Sequence, residues 1–149
     1  MLLGTYSTKI LAGHRVAVPA TFRSQLGETY ILARWYEGCL VLVGEESWDA
    51  LYKRLIGGEK VLVTPVRDTE RFILGSAYEV TPDEQGRIVI PEILMTYSNL
   101  GAEICFIGLG DKIEIWDKNT WYEKEKKVVE GAAEYIDLLA KKEISNNKK

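Results

Sequence analysis

Short apolar runs recur along this chain in two matching sets. Residues 11–27 read LAGHRVAVPATFRSQLG, and residues 83–101 read DEQGRIVIPEILMTYSNLG. Aligning Arg15 with Arg87 lays Val16, Val18 and Pro19 on Ile88, Ile90 and Pro91. The period of two predicts a short strand with one buried face, closed by a proline that cannot donate to a sheet ladder. Each strand leads into a helical segment, ATFRSQLG or EILMTYSNLG, whose final Leu-Gly suits a left-handed C-terminal cap. Two further strands follow in each set. They are TYILARW and CLVLV, joined by YEG, then EICFIGL and KIEIW, joined by GD. Trp48 and Trp121 fall at corresponding places, each opening a helical pattern. The predicted order in each repeat is therefore strand, turn carrying the arginine, strand, short helix, hairpin, closing helix.

Between the repeats, Thr64-Pro65 offers an N-cap followed by an N1 proline, and Val66, Phe72, Ile73 and Leu74 with Gly75 beyond predict a bridging helix. GGEK at 57–60 reads as a flexible joint. Near the C-terminus Val128, Val129, Ala132, Ala133, Ile136, Leu139 and Ala140 keep helical spacing, which predicts a helix with one apolar face to about Lys142 and a frayed SNNKK end. The chain thus divides into a first repeat at 1–56, a linker and bridging helix at 57–75, a second repeat at 76–125 and a C-terminal segment at 126–149. A repeat of about forty-five residues holds a core poorly by itself. The two are expected to interleave into one barrel-like α+β unit.

Composition changes this picture mainly by exclusion. Of the 149 residues 46% are hydrophobic and 28% charged, enough for a real core. The longest apolar stretches, such as CLVLVG at 39–44, fall far short of the ~20 residues of a membrane span, and the first residues lack a signal-peptide pattern. A cytoplasmic protein is expected. Cys39 and Cys105 sit in apolar strand-like runs without a Cys-x-x-Cys, and His14 is the single histidine, so buried reduced thiols are expected rather than a metal or redox centre. With one histidine no nucleophile–base pair can be assembled, and GLGD at 108–111 lacks the ending of a phosphate loop. The expectation is a non-enzyme with no cofactor, no metal and no small-molecule substrate.

The net charge of −3 argues against coating nucleic acid by bulk electrostatics. Distribution matters more. Residues 1–35 hold Lys9, Arg15, Arg23 and Arg34 against Glu28 alone, a net of +3, whereas residues 76–116 hold two cations against seven acids, a net of −5. A polyanion is better received by the first repeat.

The second repeat carries Asp83-Glu84-Gln85-Gly86-Arg87 ahead of IVIP and continues through GLGDKIEIW into the helix with Trp121. The first carries GTY at 4–6, Arg15, VPATFR and EGCLVLVGEESW. Over roughly residues 1–125 this pattern resembles the MraZ family, transcriptional regulators of the bacterial division and cell-wall gene cluster, marked by a duplicated Asp-x-x-x-Arg motif on a swapped-hairpin, AbrB-like barrel. The resemblance implies a nucleoid-associated repressor that forms a homo-oligomeric ring and sets its arginine loops against repeated boxes in double-stranded promoter DNA. An arginine on such a loop can make a bidentate contact with guanine O6 and N7, worth ~1–3 kcal/mol of discrimination. Many protomers engaging many boxes multiply that small term.

Candidate nucleic-acid contacts are Arg15, Arg87, Lys9, His14 and Arg23, with Asp83, Gly86 and Gly13 shaping the turns. The first turn departs from the motif: Leu11 stands in the place of the aspartate and His14 in the place of the glycine, with Gly13 before it. Asp83 is expected to brace Arg87 or accept backbone N–H groups, while Arg15 lacks such a partner and either reads bases or touches phosphate. Each candidate has a plainer reading: Arg87 paired to Asp83 within its own protomer, Arg15 and Lys9 as ordinary surface charge, Arg23 on a solvated helix face, His14 as a solvated loop residue. Phe22, Trp48 and Trp121 read as core rather than base-stacking groups. Two alternatives to DNA binding remain, a ring-forming protein-interaction module that has lost DNA readout and an AbrB-type antitoxin using residues 126–149.

Overall fold

The computed structural model describes the backbone of residues 1–57 and 63–147 and the side chains of all of these up to Glu143. The chain divides into two compact units, Met1–Lys118 and Asn119–Lys149. In the first unit the elements are β1 (Leu2–Lys9), β2 (Arg15–Ala17), α1 (Ala20–Leu26), β3 (Tyr30–Arg34), β4 (Leu40–Gly44), α2 (Glu45–Ile56), α3 (Thr64–Ile73), β5 (Tyr78–Val80), β6 (Arg87–Val89), α4 (Glu92–Ser98), β7 (Glu103–Gly110) and β8 (Ile113–Asp117). The order expected for each repeat is present in both.

Pairing does not stay within a repeat. The larger sheet runs β1-β7-β8-β4-β3-β5, and a separate two-stranded ribbon joins β2 to β6. The first strand of each repeat therefore lies along the hairpin of the other: β1 along β7, with Leu2 opposite Gly110 and Lys9 opposite Glu103, and β5 along β3. Exchanging the repeats reverses the strand order and reproduces it. The registers obey the same exchange, since Leu40 faces Ile115 and Leu42 faces Ile113 at the sheet centre while Val16 faces Ile88 in the ribbon. This antiparallel α+β arrangement gives the two small repeats one core.

Alternation puts that core where it is. Tyr30, Leu32, Leu40, Leu42, Ile104, Phe106, Ile113 and Ile115 share one face of the sheet, and Val16, Ile88, Phe22 and Leu94 from the ribbon and the two short helices close over it. Strands β3 and β4 are buried almost throughout because their apolar runs are continuous, and α2 and α3 pack on the side away from this core. Phe22 and the β1 residue Tyr6 meet edge to face at 5.1 Å. Phe22 belongs to the core as expected, while Trp48 and Trp121 are half-buried.

Several local expectations shift. Helix α3 is capped by Val63, so Thr64 is its first residue and Pro65 its second; the Thr64 hydroxyl accepts a hydrogen bond from Arg67 Nη2 at 2.9 Å. Gly57 is the left-handed cap of α2, and the rest of the expected joint, 58–60, lies outside the described residues. Helix α5 begins with Lys118, the last residue of the first unit, and runs unbroken through the described part of the second to Asn147, past the expected stop near Lys142; Lys148 and Lys149 lie outside the described residues. The division drawn at 125/126 falls inside this helix. Val129, Tyr135, Ile136, Leu138 and Leu139 on α5 are exposed. Among the described residues no helix is long and apolar enough to cross a membrane, and no group of histidine, cysteine and carboxylate side chains is arranged to hold a metal ion.

Candidate nucleic-acid interface

The two arginine turns share one closing backbone bond, and the second adds another, from Gly86 N–H to Asp83 O at 2.9 Å. Leu11 N–H donates to Arg15 O at 2.8 Å, and Asp83 N–H donates to Arg87 O at 2.9 Å. Each turn also accepts a bond from the opposite repeat: Ile90 N–H donates to His14 O and Val18 N–H to Gly86 O, at 2.9 and 3.0 Å. His14 and Gly86 both hold a left-handed conformation, at φ 58° and 77°. Glycine adopts this without cost, whereas at position 14 a side chain has to tolerate it. Gly13, at φ 79°, precedes it.

Each arginine leaves its turn as the first residue of a strand rather than at the turn's tip. Strand parity then settles where it points. Arg15 is opposite Val89 and Ala17 opposite Arg87, so these four share the outward face of the ribbon, while Val16 and Ile88 fill the core. Diagonal neighbours across an antiparallel pair stand ~7–8 Å apart. Arg15 and Arg87 accordingly line one concavity of about 390 Å³ together with Val80, Thr81, Asp83 and Val89.

Their surroundings differ. Asp83 Oδ1 accepts the backbone N–H groups of Gln85 and Arg87, each at 2.9 Å, and Asp83 Oδ2 accepts Arg87 Nε–H at 2.9 Å. The Arg87 backbone N–H, with its guanidinium and the Gln85 N–H, holds the Asp83 carboxyl below the ordinary carboxylate range. Arg87 keeps 28% of its side-chain exposure. Arg15 is exposed, and its side chain makes no hydrogen bond or ion pair among the described residues.

Arg23 reaches the second turn from the first repeat. A Cβ added to Gly86 would lie 1.4 Å from Arg23 Nη1 and 2.3 Å from its Cζ, so the guanidinium occupies space that only a glycine leaves open. Its charge opposes the upward push that burial gives the Tyr30 hydroxyl. Lys9 lies elsewhere, at the end of β1 opposite Glu103, whose carboxyl is held low first by Lys118 and further by Lys9. His14, Gly13 and Lys9 do not line the concavity.

One cation of the positive first repeat is diverted into the fold. Arg34 donates from Nε to Phe72 O at 2.8 Å and from Nη2 to Arg71 O at 3.2 Å, with its guanidinium 4.9 Å from the centre of the Phe72 ring. Cys39 and Cys105 are buried thiols, and burial pushes the Cys39 thiol above its ordinary range. Val89 could have been found by extending the strand parity from Arg87. Val80 and Thr81 carried no local signal, because β5 reaches the site by pairing with the other repeat.

Comparison with known proteins bears on this geometry. A family model described as "MraZ protein, putative antitoxin-like" matches residues 73–145. A protein of Bifidobacterium longum named "Transcriptional regulator MraZ" is 37% identical over 140 residues, covering 92% of this chain and 91% of that one. The chain belongs to the MraZ family. Relatives of the same name from Clostridium tetani and Caldanaerobacter subterraneus are 35% and 34% identical, over 83% and 92% of this chain and 86% and 97% of theirs. At these coverages the alignments reach into both repeats, whereas the family model begins at the end of the bridging helix and takes in the second repeat.

Proposed function

We propose that this MraZ-family chain is a sequence-specific DNA-binding transcriptional regulator, a repressor, whose reading surface is the outward face of the β2–β6 ribbon. The observation that supports it best is the presence of Arg15 and Arg87 on one face and in one concavity. A two-stranded ribbon fits the major groove, and arginine is the side chain best matched to guanine there. The exchanged strands accord with a swapped-hairpin, AbrB-like barrel. A homo-oligomeric ring would present many ribbons at once to repeated boxes of promoter DNA, and local arginines let an acidic protein do this. The targets inferred from the family are the division and cell-wall genes, which makes the protein cytoplasmic and nucleoid-associated.

Two observations favour a second reading, a ring-forming protein-interaction module without DNA readout. Arg87 is paired to Asp83 within its own chain, and α5 exposes apolar side chains. Salt separates the two, because binding through arginines weakens steeply as salt rises and apolar association does not. The test is a mobility-shift titration with the duplex immediately upstream of the gene encoding this chain, at two salt concentrations. The parent binds in a salt-dependent way and the Arg15→Ala/Arg87→Ala variant does not, while both elute at the same size. A double variant that binds as tightly as the parent would refute the reading.

A further inference from the structure

We infer that the two turns contribute unequally to DNA recognition: the Asp83–Arg87 turn, with Arg23 of the other repeat laid over Gly86, reads bases, and Arg15 contacts phosphate only. This rests on the DNA-binding reading and adds to it the assignment of specificity to one turn.

Arg87 is oriented before any ligand arrives. The guanidinium is planar, so holding its Nε on Asp83 Oδ2 sets the direction of the whole fork, and Asp83 is itself held by two backbone N–H groups. The terminal nitrogens of Arg87 carry no hydrogen bond among the described residues. A side chain already ordered loses less freedom on binding, and a fork of set direction discriminates guanine O6 and N7 from the edges of other bases. Arg15 has none of this. Leu11 cannot accept a hydrogen bond through its side chain, and an exposed cation held by no partner finds phosphate on any sequence.

Arg23 makes the inequality larger. The glycine that relieves the second turn at φ 77° also admits this second guanidinium against the turn at Gly86. The same two places in the other half hold His14 and Met95, so the first turn gains no second arginine. Arg23 serves here as the phosphate partner of a base-reading Arg87.

The test measures affinity for the upstream duplex and for a shuffled duplex of equal length and composition, across a salt series. Arg87→Ala lowers the ratio of the two affinities on the order of 10- to 100-fold. Arg87→Lys, which keeps the charge but not the fork, also loses the ratio while retaining the salt slope. Arg15→Ala and Arg23→Met weaken both duplexes alike, each reducing the salt slope by about 1. Leu11→Asp with His14→Gly, which rebuilds the motif in the first turn, raises the ratio. A fall in the ratio for Arg15→Ala as large as for Arg87→Ala overturns the inference while leaving DNA binding intact. A parent protein that fails to distinguish the duplexes overturns the proposed function itself.

Discussion

The turns at 11–15 and 83–87 share a closing bond and a left-handed fourth residue, but they differ in almost every side chain and in backbone at the third residue, where Gly13 is left-handed at φ 79° and Gln85 is not. Each closes through a backbone bond from its first to its fifth residue and accepts one from the other repeat, but only the second adds Gly86 N–H to Asp83 O, and the Asp83 side chain accepts three hydrogen bonds where that of Leu11 accepts none. Ribbon pairing and the bonds each turn receives from the other repeat hold the ends of both turns alike. Their side chains decide how firmly the arginine is held. The carboxylate at the head of the second motif both orients the arginine and ties down two backbone N–H groups, and the first turn closes without one through two successive left-handed residues.

The shared part of this comparison is broken most severely from beneath. Ile88 and Val16 face each other in the core under the ribbon, and Ile88→Ala should cost ~2–5 kcal/mol in urea unfolding. Val16→Ala, which removes less, should cost less. Loss confined to one turn, with the other unaffected in hydrogen exchange, would show that the ribbon is not the common support.

The left-handed positions should respond with opposite signs. Gly86→Ala introduces ~1–2 kcal/mol of backbone strain. Its Cβ also displaces the Arg23 guanidinium. His14→Gly relieves a similar strain at φ 58° against the greater freedom of glycine in the unfolded chain, for a net gain of about 0.5–1 kcal/mol. Thermal unfolding of the two variants beside the parent checks both signs.

The smallest expected effect separates the turns by acid. The Asp83 carboxyl titrates below its ordinary range when folded, so its contribution is complete above the ordinary carboxylate pKa and disappears as pH falls through the folded value. Lowering the pH beneath about 4 should therefore destabilise the parent more than Asp83→Asn. Equal acid sensitivity in urea titrations would mean that the brace has no thermodynamic weight.

Much of this was legible beforehand. The Arg15–Arg87 alignment carried the duplication, the element order, the buried Val16 and Ile88 and the missing side-chain partner of Arg15, because these depend on residues close together in the chain. Charge was a poorer guide. Arg34 added to the positive first repeat on paper but binds the carbonyls of Phe72 and Arg71, and Lys9 faces Glu103 across the sheet. Counting cannot distinguish a cation aimed at solvent from one used inside the fold.

The local sequence determined the strands, short helices and turns, since alternation, proline and glycine act through neighbouring dihedrals and one buried face. Only the tertiary structure decided their partners. Two similar repeats offer strands of nearly equal pairing ability, and nothing local tells β1 to choose β7 or β2 to choose β6. Burying both repeats in a single core makes that choice, and it alone brings Arg15 beside Arg87 and carries Arg23 across to Gly86.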